Sequence, residues 1–257
     1  MLTIQHLAND ILSRQRPVEL SGITIPKSLR VAVTAPHPDD FDAIAVTMRL
    51  LHANGNIIDL AVLTSGTSGV DDGFAGAHTS QAKTRIREDE QRASCQLFGL
   101  DPSHLQFLRL TYSGDHQRLI GDGGASAEGF IKQVRPDLIF LPHGNDTNRT
   151  HQRTHALITG IVKKEKLTVF LFLNEDPKTQ SIRRDVIVQF GEAEAEWKAR
   201  LLRLHTSQHE RTMRIRGHGL EERILSVNRR AAEALGVGAV YCEAFELAYY
   251  EQGNLAT

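Results

Sequence analysis

The sequence predicts an α/β fold with a mostly parallel sheet, and three observations point there. Apolar runs of strand length alternate with helical patterns from residue 29 to residue 173. The runs are solidly apolar rather than alternating, as in strands covered on both faces. Glycines and polar loops separate them at the places where strand gives way to helix.

The elements follow in order. Leu29 to Ala35 (LRVAVTA) forms the first strand, and Ala43 to Ala53 (AIAVTMRLLHA) a helix that stops at Gly55, a glycine C-cap. Ile57 to Thr64 (IIDLAVLT) is the second strand. SGTSGVDDGFAGAHTS, rich in Gly, Ser and Asp, is a long loop, and loops of that length tend to carry function. A charged amphipathic helix runs from Gln81 to Phe98 and ends at Gly99. Strand 105–110, a loop in which Gly121 to Gly124 forms a turn, helix 126–134, strand 137–142, helix 150–163 and strand 168–173 continue the alternation. The rhythm then changes to a short strand 185–190, a helix 192–205, a helical stretch 219–235 and a final strand-like EAFELAYY. No repeat, low-complexity tract or linker divides the chain, so residues 1–257 are expected to form one domain, with the late segment bordering the site.

Composition narrows the function. Apolar residues make up 40% and charged residues 24%, as in an ordinary globular chain. Thirty Lys and Arg against 31 Asp and Glu leave a formal charge of -1, which argues against a nucleic-acid or anionic-membrane partner and favours a small molecule. The first residues mix charges into their apolar positions, and nowhere do about 18 apolar residues run together, so a cytoplasmic protein without membrane insertion is expected. Cys95 and Cys242, far apart and without metal-ligand spacing, are expected to be buried thiols. Self-association is left open. The basic run Arg211 to Arg216 (RTMRIR) lacks interleaved aromatics and is taken as a solvated face, with contact to an anionic substrate group as the alternative. No G-x-G-x-x-G follows the first strand, and the SGTSG loop lacks the lysine of a P-loop.

Ligands of doubly wound sheets sit outside the carboxyl ends of the strands. His37-Pro-Asp39-Asp40 occupies that place after the first strand, with His37 and Asp40 three apart across the stiff Pro38 and Asp39 free beside them. An imidazole and a carboxylate are normal parts of a catalytic zinc set, which needs about three protein ligands and an open position, and a neighbouring carboxylate can serve as base for a metal-acidified water. The competing reading is a polar turn and helix cap. A second polar cluster after another strand, Pro142 to His155, can supply a third ligand.

Taken together, the motifs resemble the PIG-L/LmbE family of zinc-dependent de-N-acetylases. The resemblance rests on the strand ending in H-P-D-D, on Thr64-Ser65-Gly66, on Arg87-Glu88-Asp89-Glu90 and Leu97-Phe98-Gly99-Leu100, on Leu204-His205-Thr206-Ser207-Gln208 and on Tyr241-Cys242-Glu243-Ala244-Phe245, in the family's order over residues 29–247. It implies a Rossmann-like three-layer sandwich, one zinc per chain held by His37, Asp40 and His151, and Asp39 as base. Asp146 to His151 matches the family's D-x-H-P-D-H segment in length and register, but Asn148, Arg149 and Thr150 depart from it, and Phe41 stands where the family often has Glu. Asn148 cannot transfer a proton, so His143, His155 and His205 are the candidates to replace the family's second histidine; a rival ligand set joins His151 to His155, four apart. Arg87, Asn148 and His143 are assigned to substrate binding and His205 to catalysis. The implied reaction removes an N-acyl group, N-acetyl above all, from an amino sugar or glycoside. Hydration or another non-amide reaction at the same zinc, and a non-catalytic sugar-binding module, are the alternatives.

Overall fold

The computed structural model describes residues 3–113 and 119–256. Among the described residues, eleven strands and eight α-helices run in the order α1 (Ile4–Ser13), β1 (Val18–Glu19), β2 (Arg30–Ala35), α2 (Ala45–Asn54), β3 (Ile57–Val62), α3 (Ser80–Phe98), β4 (Leu105–Phe107), β5 (Thr111–Tyr112) and β6 (Leu119–Ile120). They continue with α4 (Gly123–Val134), β7 (Leu138–Pro142), α5 (Arg149–Lys164), β8 (Val169–Asn174), β9 (Val186–Phe190), α6 (Glu192–Arg203), α7 (Thr206–Arg216), α8 (Leu220–Leu235), β10 (Tyr241–Glu251) and β11 (Asn254–Leu255).

The main sheet has the order β1-β9-β10-β8-β7-β2-β3-β4, with β11 paired to β10. Strands β8, β7, β2, β3 and β4 are parallel neighbours. Strand β10 runs antiparallel to both β8 and β9. Alternate side chains of each central strand enter opposite layers, the period-2 consequence of the pleat. Val31, Val33, Phe140, Phe170 and Phe172 join α1, α2 and α6 on one face. Ala32, Ile139, Leu141, Leu171 and Leu173 pack against α4 and α5 on the other. That double coverage is why the strands read as solid apolar runs.

From β2 the chain moves outward to β3 and β4, then returns to place β7 on the other side of β2. The order of connection reverses there, and a crevice opens between the carboxyl ends of β2 and β7. Both polar clusters singled out from the sequence leave those two strand ends.

Several expectations need adjustment. The strand expected over 105–110 is regular only over Leu105–Phe107, although the Leu108 and Leu110 amides still donate to the Val62 and Leu63 carbonyls, and the loop expected after it lies partly outside the described residues. The turn expected at 121–124 gives way to helix from Gly123. Helices α1 and α7 were not expected, and the RTMRIR run belongs to α7. Cys95 and Cys242 are both free and buried, as expected. No described helix is long and apolar enough to cross a membrane.

Candidate active site and metal centre

Residues 36–44 carry the chain from β2 to α2 across the crevice. The turn is tied from within: the His37 amide donates to Asp40 Oδ2 at 2.7 Å, and the Asp42 and Ala43 amides donate to the Asp39 carbonyl. Asp39 sits at φ 106°, a conformation that costs a non-glycine residue of order 1–3 kcal/mol and persists only where the surroundings enforce it. Helix α3 provides that enforcement. Gln91 Oε1 accepts from the Asp39 amide at 3.0 Å, while Arg87 donates both to the Pro38 carbonyl and to Asp39 Oδ2, the latter at 3.1 Å.

Gly66 explains the T-x-G motif. Its φ is +60°, and a Cβ there would stand 3.4 Å from Pro38 Cδ and 3.5 Å from both Arg87 Nε and His37 Cβ. Those are ordinary contact distances, so it is the left-handed backbone, close over the turn that carries the acids, that favours glycine here.

His151 comes from the first turn of α5, whose N-cap is Asn148, the Asn148 side chain accepting from the Thr150 amide at 3.0 Å. The fully buried Asp146 places its Oδ2 3.1 Å from His151 Nδ1, which sets the tautomer and turns Nε2 toward Asp40 Oδ1, 3.6 Å away. His37 completes the group, its Nδ1 3.3 Å from Asp40 Oδ2. One ligand atom from each of His37, Asp40 and His151 lies within 4.8 Å of the others. Two imidazoles and a carboxylate at that spacing fit a zinc ion, with bonds of about 2.0–2.2 Å and a carboxylate behind one histidine. A second group, Asp146, His151 and Asp176, also brings one ligand atom from each residue within 4.8 Å, but in it Asp146 is already the partner of His151 Nδ1.

The electrostatics follow from burial among unlike charges. Burial works against ionisation of Asp40, but His151 and the bonded His37 outweigh it and bring the carboxyl down to about 2. Burial lowers the His151 imidazole, yet Asp40 and Asp146 lift it to about 9. Asp39 is raised, mainly by burial and with Asp40 adding to it, while Arg87 pulls the other way. A raised carboxylate is a stronger base than an ordinary one.

These groups line a solvent-open cleft. His37, Asp39, Asp40, Arg87, Asn148 and His151 all contribute to its wall, so six of the eight residues singled out from the sequence meet in one place. His143 and His205 do not contribute to that wall. His205 is fully buried, with Nε2 2.6 Å from Asp42 Oδ2. Ser94 also donates to Asp42, at 2.5 Å, so His205 braces the turn from behind. His143 is held by Glu246 at 3.3 Å and by the Asn145 amide at 2.9 Å. The rival ligand His155 packs its ring beneath Gly144 and does not reach the His37 and Asp40 group.

The other motifs also prove to be braces. Glu90 of α3 accepts from the Ser207 amide at 2.6 Å and from the Ser207 hydroxyl at 2.8 Å, anchoring the start of α7. Gln208 donates to the Gly69 carbonyl at 2.9 Å. Glu88 faces away and pairs with Arg109 and Arg92.

The cleft also contains residues that the sequence did not single out. Asp176 follows β8, a third strand end of the kind already searched, and that position was the available signal. Burial lifts its carboxyl to about 6, with Asp40 and Asp146 adding and His151 opposing. Lys178 and Arg223 also line the wall, but nothing in sequence separates Arg223 from the other charges of α8. Arg211 lies there too, which favours the alternative reading of the basic run for that residue.

A family model described as PIG-L: GlcNAc-PI de-N-acetylase matches residues 32–162, just over half of the chain. No curated protein matches the sequence. Among solved structures, the N,N'-diacetylchitobiose deacetylase from Pyrococcus horikoshii superposes with a TM-score of 0.68 at 18% identity, covering 98% of this chain and 94% of that one. The 4-carboxy-2-hydroxymuconate hydratase GalB from Pseudomonas putida KT2440 gives 0.67 at 15% identity, with 85% and 95% covered. The teicoplanin deacetylase Orf2, in a zinc-inhibited form, gives 0.64 at 12% identity, with 86% and 98% covered. At these identities the superpositions establish a shared fold.

Proposed function

The chain belongs to the PIG-L family of GlcNAc-PI de-N-acetylases, and from that premise we propose that it is a metal-dependent amide hydrolase removing an N-acetyl group from an amino sugar or glycoside. The observation that carries the reading is the convergence of His37, Asp40 and His151 at the cleft with Asp39 between the first two. His37, Asp40 and His151 would hold one zinc per chain. When bound, zinc polarises a carbonyl and lowers the pKa of water to about 7.

The remaining work falls to the chain's own groups. Asp39 Oδ2 is fixed by Arg87, and Oδ1 accepts no hydrogen bond among the described residues, so it is the atom that takes a proton from the attacking water. As the C–N bond breaks, the same carboxyl returns that proton to the departing nitrogen, giving acetate and a free amine. The fixed Arg87 holds Asp39 in one orientation through both transfers, which suits a proton carrier. Asn148 at the cleft wall can hydrogen-bond the substrate but cannot replace a histidine in proton transfer.

Elemental analysis tests the centre. About one zinc per chain is expected in the purified protein and none in His151→Ala; a wild type that neither contains nor takes up metal overturns the reading. Asp146→Asn is expected to weaken zinc about 10–100-fold, because an amide cannot fix the Nδ1 proton as the carboxylate does. A competition titration against a chelator reads that loss, and unchanged affinity would remove Asp146 from the account.

A second reading, addition of water to a non-amide substrate at the same metal, is favoured by Asn148 standing in the cleft wall at the family's histidine position. Stoichiometric zinc without acetate release from a broad panel of N-acetylated sugars would turn the assignment that way.

A further inference from the structure

Behind the acidic turn, a chain of buried polar groups runs away from the cleft and ends on the backbone of Asp39. Gln91, Asp42, Ser94 and His205 are all fully buried, and they come from three separate segments: α3, the turn itself and the residue that precedes α7. Gln91 Oε1 accepts from the Asp39 amide at 3.0 Å. At the other end of the same side chain, Nε2 donates to Asp42 Oδ2 and to Cys95 Sγ, each 3.4 Å away. Asp42 is itself held by Ser94 on Oδ1 at 2.5 Å and by His205 Nε2 on Oδ2 at 2.6 Å.

A carboxamide can occupy such a slot in two ways, and its neighbours choose between them. Turned over, Gln91 would set its NH2 against the Asp39 N–H, donor facing donor, and its oxygen against the Asp42 carboxylate, acceptor facing acceptor. Neither contact could turn to water instead, because the groups are buried. Asp42 therefore selects the orientation that presents an acceptor to Asp39. That acceptor matters because Asp39 sits at φ 106°, a conformation that lasts only while its surroundings impose it. Arg87 fixes the Asp39 side chain; Gln91 is the group that holds its backbone amide.

We propose that Gln91, oriented by Asp42, is a positioning residue for Asp39: it holds the backbone of the base where the carboxylate faces the cleft, and so governs the rate of the chemical step without touching substrate or metal. The effect on rate rests on the deacetylase reading, whereas the effect on the Asp39 backbone does not.

Two near-isosteric variants, Gln91→Met and Asp42→Asn, test this on the zinc-loaded protein, with melting temperatures confirming that both fold. Methionine removes the acceptor, and asparagine can turn an NH2 toward Gln91 and release its orientation. With an N-acetylated sugar that wild type turns over, each variant is expected to lower kcat by about 10–100-fold, the cost of a misplaced catalytic group, while KM stays within about twofold and zinc content is unchanged. Because the two residues act in series, the double variant should be no slower than Gln91→Met alone. Full turnover in either single variant, or losses that add in the double variant, would overturn the proposal. Hydrogen exchange at the Asp39 amide, followed by NMR, reads the same contact without turnover: its protection should fall about tenfold or more in both variants. An amide that is unprotected in wild type, or equally protected in the variants, would also overturn it. If exchange behaves as expected while wild type releases acetate from no N-acetylated sugar, the positioning of Asp39 stands and the deacetylase reading fails.

Discussion

Asp39→Asn is expected to lower turnover by about 10²–10⁴-fold, the usual worth of a positioned general base, while zinc content stays at the wild-type level. Asparagine is the right substitution because it tolerates the positive φ that Asp39 adopts, and because Arg87 keeps Glu90 and the Pro38 carbonyl as partners. The turn should therefore persist with only the proton acceptor removed. Steady-state kinetics with elemental analysis on the same preparation separates the outcomes. Full turnover would move the base elsewhere in the cleft, to Asp176 first. Loss of turnover together with zinc would make Asp39 part of the metal's support rather than the acceptor of a proton.

The largest stability effect is expected away from the chemistry, at Glu243 in the middle of β10. Its carboxylate accepts from the Val46 amide at 3.1 Å, the Thr47 amide at 2.7 Å and the Thr47 hydroxyl at 2.5 Å, so it caps α2 where the acidic turn ends. The same carboxylate pairs with Lys198 at 2.7 Å, and both side chains are essentially inaccessible to solvent. Burial pulls the Lys198 ammonium below its usual range while Glu243 pulls it up. Its remaining acceptors are the Ala43 carbonyl at 2.6 Å and Asn228 at 2.8 Å.

Glu243→Ala leaves that ammonium without its counter-charge and two helix amides without acceptors, and should cost about 3–5 kcal/mol. Chemical denaturation reads it. The double variant Glu243→Leu with Lys198→Met should recover much of the loss, since no buried charge is then left unpaired. A single-variant cost below about 1 kcal/mol would show that the pair is not what holds β10 to the start of α2. Ala43 lies in the cleft wall, so the same variant should also loosen the site.

Much of this was legible in the sequence because it depended on local pattern. The solid apolar runs of β2, β3, β7 and β8 announced a sheet covered on both faces, and H-P-D-D after the first strand marked a site because strand ends are where such sheets bind ligands. Matched in register to the family's segment, Asp146 to His151 pointed to the residue that meets His37 and Asp40. Helix α7 escaped notice because its residues carry almost no apolar periodicity; only Ser207 among them is buried, and the helix is held by polar anchors such as Glu90.

The roles of motif residues were less legible, since a motif records that a residue matters without saying which way it points. His205 and Glu243 both belong to motifs of the family resemblance, and each faces into the protein to hold the acidic turn and the start of α2 from behind. Arg223 had the opposite history: one charge among many along α8, singled out only because the packing of that helix brings it to the cleft wall.

By itself, then, the sequence determined the layered α/β architecture and the strand ends at which the polar clusters stand, because these depend on pattern within one segment, while the family resemblance pointed to His151 as the partner of His37 and Asp40. Only the tertiary structure decided which histidines reach the cleft, that Asp39 is braced by Arg87 and Gln91, and that Arg223 lines the cleft, because these depend on where segments more than 40 residues apart come to rest.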